Sequence, residues 1–389
     1  GLLVGSDGLD LVEIELESES VVVLTEATLA VLLFSDASML NFTALRRDPG
    51  IPARLLGLGL PLSVAMGTLL TALLLTDLSW PEAALVAAIL SPTDAALGQA
   101  VVTNPRVPVR IRQSLNVESG LNDGLVVPVV AVFSAMVVSG DAGDLGAWVG
   151  DAARELGIGL GIGLAVALVA GKLLTVAYDA GWVRLDFEQL AMLAIGVGAY
   201  ALSTELDGNG FVAAFVAGLT TSATMGEEAE RRVAFSEDLG QILALITFVV
   251  FGATLVGPSL GRLTVPIALC AVATLTVGRM LPVWIATIGA GLRPRSRLFL
   301  GWFGPRGLAS MLFGLLLVEE SGGLLADSLF VVVTWVVVLS IVAHGMTATP
   351  GAARYAAWLE RQHDTESMME SVVTDEPRVR WWNSTRDTR

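Results

Sequence analysis

Residues 114–130 read SLNVESGLNDGLVVPVV. Glu118, Ser119, Asn122 and Asp123 stand there inside an otherwise apolar run of membrane length. An ionised carboxylate at the centre of a bilayer costs at least about 2.5–3.5 kcal/mol, so each acid needs a partner or a task. On a helix 118/122 and 119/123 are i,i+4 pairs, which puts all four polar residues on one face. Glu118 is expected as a member of a structural ion pair. Asp123 reads either as a buried, permanently neutral acid or as a group that binds a small cation and a proton in alternation.

The surrounding chain decides what kind of helix this is. Of 389 residues, 54% are hydrophobic and only 16% charged, with a mean hydropathy of +0.70. Apolar runs of about 18–25 residues recur along the whole length, the spacing of spanning helices. They lack the regular polar face of soluble amphipathic helices. The 41 glycines fall largely inside these runs, as helix contacts in membranes favour. The expected class is an all-α polytopic membrane protein. One cysteine, Cys270, rules out an intrachain disulfide and a cysteine-based metal site, and two histidines are too few for a histidine-rich one. A net charge of −15 disfavours nucleic acid as a partner. The chain begins with glycine and has no basic n-region, so it is expected to lack its true amino terminus.

Eleven spans are expected, at 21–42, 54–76, 81–102, 111–138, 152–177, 187–205, 209–224, 237–256, 265–290, 297–319 and 328–349. Arg46, Arg47 and Arg54 lie in the first loop, Arg106, Arg110 and Arg112 in the third, and Arg184 in the fifth. Arg231 and Arg232 follow in the seventh, and Arg293, Arg295 and Arg297 in the ninth. The even-numbered loops are acidic or neutral apart from Arg154 and Arg262. By the positive-inside rule the odd loops are cytoplasmic. Residues 1–20 are then an extracellular segment, 21–349 the membrane domain, and 350–389 a polar cytoplasmic tail.

Two spans carry breaks. The third contains Ser91-Pro92-Thr93-Asp94, and the tenth contains Gly304-Pro305-Arg306-Gly307. Proline removes a backbone donor and frees a carbonyl one turn earlier. At membrane depth such opened backbone is tolerated only where protein or a water-filled cavity surrounds it. The two breaks lie seven spans apart, an odd number, so the broken helices run in opposite directions. Such a pair points to a transporter site between inverted repeats. Thr93 and Asp94 offer oxygen ligands suited to a hard monovalent cation. Alone, Asp94 also reads as a local cap on its half-helix, but its conjunction with the 118–123 cluster favours the ligand. Arg279 and Arg306 lie inside apolar spans and need carboxylates or carbonyls. Arg279 with Glu118 is the preferred pair, leaving Asp123 and Asp94 free for ions. Arg306 reads equally well as neutralising opposed half-helix ends. Asp36 is a candidate lining group, although a solvated end residue is the favoured reading. Tyr178-Asp179 matches half of an intramembrane aspartyl protease site, but no Gly-x-Gly-Asp partner exists, and no enzymatic activity is expected.

SPTD (91–94), NVESGLNDG (116–124), GNGFVAAFVAG (208–218), FVVFGATL (248–255), GRMLPV (278–283), GPRGLAS (304–310) and SIVAHGMTA (340–348) occur in this order. Over residues 25–355 the chain resembles the monovalent cation/proton antiporters, in the branch of the sodium/proton exchangers. The resemblance implies an inverted-repeat fold of roughly thirteen helices with two broken crossing helices. Two helices would precede Gly1, leaving 21–138 as an incomplete first repeat, 152–224 as linking scaffold and 237–349 as the second repeat. It implies that Asp123, Asp94, Thr93, Ser119 and Asn122 form the cation and proton site, and that Glu118 pairs with Arg279. The only metal involved would be the transported monovalent cation at Asp123 and Asp94, with no resident cofactor. Asn122, where other branches carry a second aspartate, implies electroneutral exchange of one Na⁺ for one H⁺. K⁺/H⁺ exchange, or a channel or sensor on the same scaffold, stays open as an alternative. Membrane lipid, cations and protons, and a second copy in a homodimer are the implied partners. The implied location is a bacterial cell membrane, crossed many times, with the C-terminus in the cytoplasm.

Overall fold

A computed structural model describes residues 1–362 and 370, apart from 4, 6, 7, 10–18, 41–44, 47, 95, 141–144, 227 and 322–326. Most of the expected extracellular segment and tail, and Arg47, therefore lie outside the described residues. Within them all regular structure is helical. The first helices are α1 (Glu19–Ser38), α2 (Gly50–Leu74), α3 (Trp80–Ile89), α4 (Gln99–Val102) and α5 (Val109–Ser139). Then come α6 (Leu145–Asp179), α7 (Leu185–Glu205), α8 (Gly210–Met225) and α9 (Glu228–Phe251). The last are α10 (Val265–Leu275), α11 (Val277–Ala286), α12 (Pro294–Trp302), α13 (Leu308–Ser321) and α14 (Asp327–Glu360).

Seven segments among the described residues are long and apolar enough to cross a membrane. They coincide with expected spans one, two, four, five, eight, nine and eleven. Of the other four, the third and tenth are the broken ones, and the sixth and seventh are α7 and the 16-residue α8.

Local chemistry sets the helix ends. Both the N–H and the hydroxyl of Ser79 bond the carboxylate of Glu82, a capping box that opens α3 with Pro81 in its first turn. The side chain of Asn209 accepts from the N–H of Val212 at 3.0 Å and starts α8. Gly140, at φ 68°, closes α5 in the left-handed region that glycine enters without penalty.

Helix α1 lies centrally, packed against α5, α7, α8, α9 and α13. Its Phe34 is fully buried, and a Cβ at Gly196 in α7 would run into the Phe34 ring. Glycine at the contact lets the two backbones approach until the ring fills the groove, the packing logic of membrane helices.

The arginine-bearing loops meet through specific bonds. Arg54 donates to the carbonyl of Ile288 at 2.7 Å, Arg110 to Asp48 at 2.6 Å, and Arg106 forks onto Glu360 at 3.0 and 3.2 Å. Arg293 reaches Gln362 at 2.7 Å. The first, third and ninth loops and the end of α14 thus share one end of the bundle. Arg232 with the fully buried Glu188, 2.8 Å away, joins the fifth and seventh.

Two helix boundaries stand out. The last span is expected over 328–349, and the helix α14 runs on past it, through Pro350, to Glu360. Proline inside a helix loses one backbone bond, and packing of the next two turns offsets it. Tyr355 stacks on Phe299 with ring centroids 4.1 Å apart and donates to Ser296 at 2.9 Å. The ninth span is not one helix: Thr276 (φ −102°, ψ −85°) divides α10 from α11 and puts Arg279 in the first turn of α11.

Candidate cation and proton site

The helices break where their prolines stand. Residues 91–94 after α3 and 303–307 between α12 and α13 have no helical structure. The two opened strands touch, with the N–H of Asp94 donating to the carbonyl of Pro305 at 2.8 Å.

Each opened helix end has a matching charge or hydroxyl. The carboxylate of Asp94 accepts from the N–H of Leu308, the first residue of α13, at 2.9 Å, and from the N–H of Ala96 at 2.8 Å. A negative charge suits the positive end of a half-helix. Arg306 donates to the carbonyls of Gly304 at 3.1 Å and Pro92 at 3.4 Å, and is 1% exposed. Ser310 donates to the carbonyl of Ile89 at 2.7 Å, near the end of α3. Both oxygens of Asp94 thus accept backbone hydrogen bonds, Oδ2 from the first N–H of α13 and Oδ1 from the nearby Ala96. Arg306 lies at the opposed ends.

Gly307 makes this crossing sterically possible. A Cβ there would collide with the carboxylate of Asp94 and lie 2.8 Å from Leu97. Overpacking of this kind costs about 1–3 kcal/mol. Gly307→Ala is expected to lower the unfolding midpoint in detergent measurably; an unchanged midpoint would show that Asp94 has room to retreat.

On α5 the polar residues divide. Five residues at about 100° each put Glu118 and Asp123 roughly 140° apart, so they face different neighbours rather than one. Glu118 receives a two-pronged bond from Arg279, Nη1 to Oε1 at 2.5 Å and Nη2 to Oε2 at 2.7 Å. Each partner is 2% exposed. Gly304 leaves room for the guanidinium, since a Cβ there would strike it. Asn122 donates its amide to the hydroxyl of Thr93 at 2.7 Å, and that hydroxyl lies 2.9 Å from the hydroxyl of Ser119. The first break is thereby tied to α5.

Asp123 is half-buried and lines a cavity with Asp36, Thr93, Asp94, Asn116, Ser119 and Gly120, closed on the apolar side by Leu29, Leu32, Leu308 and Leu312. The structure thus brings Asp123, Asp94, Thr93, Ser119 and Asp36 to one cavity. It sends Asn122 to Thr93, and Glu118 with Arg279 to a separate buried pair. Asp36, for which a solvated position was the favoured reading, is half-buried and lines this cavity. Asn116 has no counterpart in the expected set. Its spacing to Ser119, Gly120 and Asp123 is i, i+3, i+4, i+7, the pattern of one helix face, and this was the available signal.

Residues 1–353 match the family described as "Sodium/hydrogen exchanger, transmembrane". The chain belongs to the sodium/hydrogen exchanger family. It is 25% identical over 371 residues to a K(+)/H(+) antiporter NhaP of Alkalimonas amylolytica, covering 94% of this chain and 62% of that protein. It is 26% identical over 360 residues to a K(+)/H(+) antiporter NhaP2 of Shewanella sp. (strain ANA-3), covering 90% and 60%. The chain therefore spans about three fifths of the length of these curated relatives. The fold is similar to the sodium proton antiporter MjNhaP1 of Methanocaldococcus jannaschii at pH 8, with a TM-score of 0.73 and 18% identity over 91% of this chain and 90% of that one. This exchanger-family member thus has the antiporter fold, built on two broken helices.

Proposed function

We propose that the protein exchanges a monovalent cation for a proton across the membrane, one for one. The observation that carries this reading is the position of Asp123. It is a carboxylate on a cavity wall beside two hydroxyls, at the point where two opened helices cross. Oxygen donors of this kind suit a hard cation, which is bound through carboxylate, hydroxyl and carbonyl oxygens. Asn122 also has a buried Oδ1 without a hydrogen bond among the described residues, an oxygen available to a cation. Asp94 adds negative charge to the same cavity, although its oxygens also serve the half-helix ends. With Glu118 held by Arg279 and Asn122 neutral, Asp123 is the exchangeable charge, and cation and proton compete for it. The loaded bundle then moves against a scaffold of α6 to α8 that pairs with a second copy. The scheme uses no resident cofactor, and the only covalent bond made and broken is the O–H bond of the Asp123 carboxyl as the proton binds and leaves. The arginine-bearing end and the C-terminus face the cytoplasm of a bacterial cell membrane.

Na⁺ is the proposed cation. K⁺ is the second reading, favoured by the K(+)/H(+) antiporters among the chain's relatives. The test is the protein reconstituted into vesicles with a trapped pH dye. Addition of Na⁺, K⁺ or Li⁺ should collapse an imposed pH gradient in a saturable way, without a membrane current. Ion current with no proton coupling would replace this reading with a channel.

A further inference from the structure

The break between α12 and α13 is held open by a part of the molecule that the exchange scheme does not use. It begins as an inverse γ-turn at Phe303 (φ −83°, ψ 58°), close to the geometry of that turn. The N–H of Gly304 closes it onto the carbonyl of Trp302 at 2.9 Å. A carbonyl has a second lone pair, and here it faces Nε2 of His344 at 2.9 Å. At the far side of the break the N–H of Arg306 donates to the hydroxyl of Ser340 at 2.6 Å. That hydroxyl lies 3.1 Å from Nδ1 of His344. His344 and Ser340 are an i,i+4 pair on α14, both buried to within 1%.

The Trp302 carbonyl can only accept, so Nε2 carries a hydrogen. Nδ1 lies between two oxygens of Ser340, 3.1 Å from the hydroxyl and 2.9 Å from the backbone carbonyl. The bridge across the break does not depend on which of these Nδ1 engages. It is a closed loop: Arg306 N–H to the Ser340 hydroxyl, Ser340 to His344 along one turn of α14, and His344 N–H to the Trp302 carbonyl. At this depth an unsatisfied backbone group costs several kcal/mol.

We propose that His344, with Ser340, is a splint that fixes the width of the second break, and that it is a positioning residue for ion exchange. The two residues bridge positions 302 and 306. Between those points lies Pro305, whose carbonyl receives the N–H of Asp94, and just beyond lies Leu308, whose N–H reaches the Asp94 carboxylate. Arg306 is aimed at the carbonyl of Pro92 from the same segment. The width of the break thus sets the register between the two broken helices, and so the cavity wall that carries Asp94. Nothing in the loop touches the cavity itself, so the splint acts on rate through geometry rather than by binding ions. This role rests on the exchange reading above, but the loop can be tested without it.

The test compares His344→Phe, His344→Asn, His344→Gln and Ser340→Ala with the unaltered chain in vesicles and by peptide-level amide hydrogen exchange. Phe fills the ring volume and makes no bonds. Asn keeps an amide near Nδ1 alone, whereas Gln extends a donor toward the position of Nε2. Per folded transporter, Phe and Asn are expected to lower the maximal exchange rate at least tenfold with the cation KM within twofold. Gln should retain about a third or more of the rate. Amide exchange in the peptide covering 303–308 should rise at least tenfold in Phe and in Ser340→Ala. The serine variant removes one oxygen and serves as the test where the Phe chain does not fold. Unaltered rate and unaltered amide protection in Phe or Ser340→Ala would overturn the splint, as would equal losses in Gln and Phe. Were the unaltered chain inactive in vesicles, the exchange reading would fall and amide protection alone would decide the splint: raised exchange supports it, and unchanged exchange removes it.

Discussion

Asp123→Asn is expected to reduce cation-dependent proton movement in vesicles to the level of empty liposomes while leaving the folded yield unchanged. The two side chains have nearly the same shape, so the packing of α5 against its neighbours is preserved. The Asn122 amide and the Thr93 and Ser119 hydroxyls keep their mutual bonds. What disappears is the charge, and with it both the electrostatic hold on a cation and the capacity to carry a proton at the same oxygen. A change of this kind separates the exchangeable acid from a structural one, because a structural acid turned to amide in a polar cavity would cost little transport. Asp123→Glu supplies the complementary arm: the carboxylate is kept and displaced by one methylene, so exchange should persist at a reduced rate with a changed cation KM. Competition for one carboxylate also has a sign. Lowering the pH fills it with protons, so the apparent cation affinity should fall, by up to tenfold for each pH unit where the protonated form dominates. Wild-type exchange in the Asn variant, or a cation affinity indifferent to pH, would remove Asp123 from this role.

How much of this was readable beforehand depends on whether a residue breaks a local rule. Pro92 and Pro305 do, since each removes a helix hydrogen bond in a stretch that also carries a charged residue, and both breaks stand where those residues are. Pro128 and Pro350 leave their helices unbroken. Buried charge also announces itself: Glu118 and Arg279 each require compensation, and the chain brings them together across 161 positions. The sequence cannot choose between two uses of one group, however. Alone, Asp94 fits an ion site or a helix cap, and in the structure the α13 N-terminus, more than 200 residues away, takes one of its oxygens while the nearby Ala96 takes the other. Neutral residues are the least visible. Asn116 costs little in a polar stretch of helix, Thr276 is an ordinary helix residue until the backbone turns there, and Ser340 with His344 look like tolerated polar residues until the open carbonyl of Trp302 gives them a purpose.

The second large effect is expected at Glu118 and Arg279. Each is 2% exposed, and the two are joined by two parallel bonds. Removing one partner of such a pair leaves a buried charge unmatched, at a cost of about 3–5 kcal/mol. Arg279→Ala and Glu118→Ala should therefore each lose most of the folded protein, measured as the monodisperse fraction extracted in detergent. The two losses should differ in character. Without Arg279, Glu118 can take up a proton and become neutral, so the alanine variant at 279 should recover partly as the extraction pH is lowered. Without Glu118, the guanidinium has no such escape, because it stays charged at any accessible pH. It also sits close enough to Arg306 for the two positive charges to act on each other, so the loss at 118 should be the deeper and should not respond to pH. Replacing both residues by uncharged ones of similar volume, Glu118→Gln with Arg279→Met, should restore folding beyond either single variant, since a buried pair exchanged for apolar groups is often near neutral in stability. Folding restored without full exchange would mean that the pair also holds α5 against α11 during transport. Equal yields from both single variants at every pH would instead show that neither charge is desolvated, contrary to the geometry.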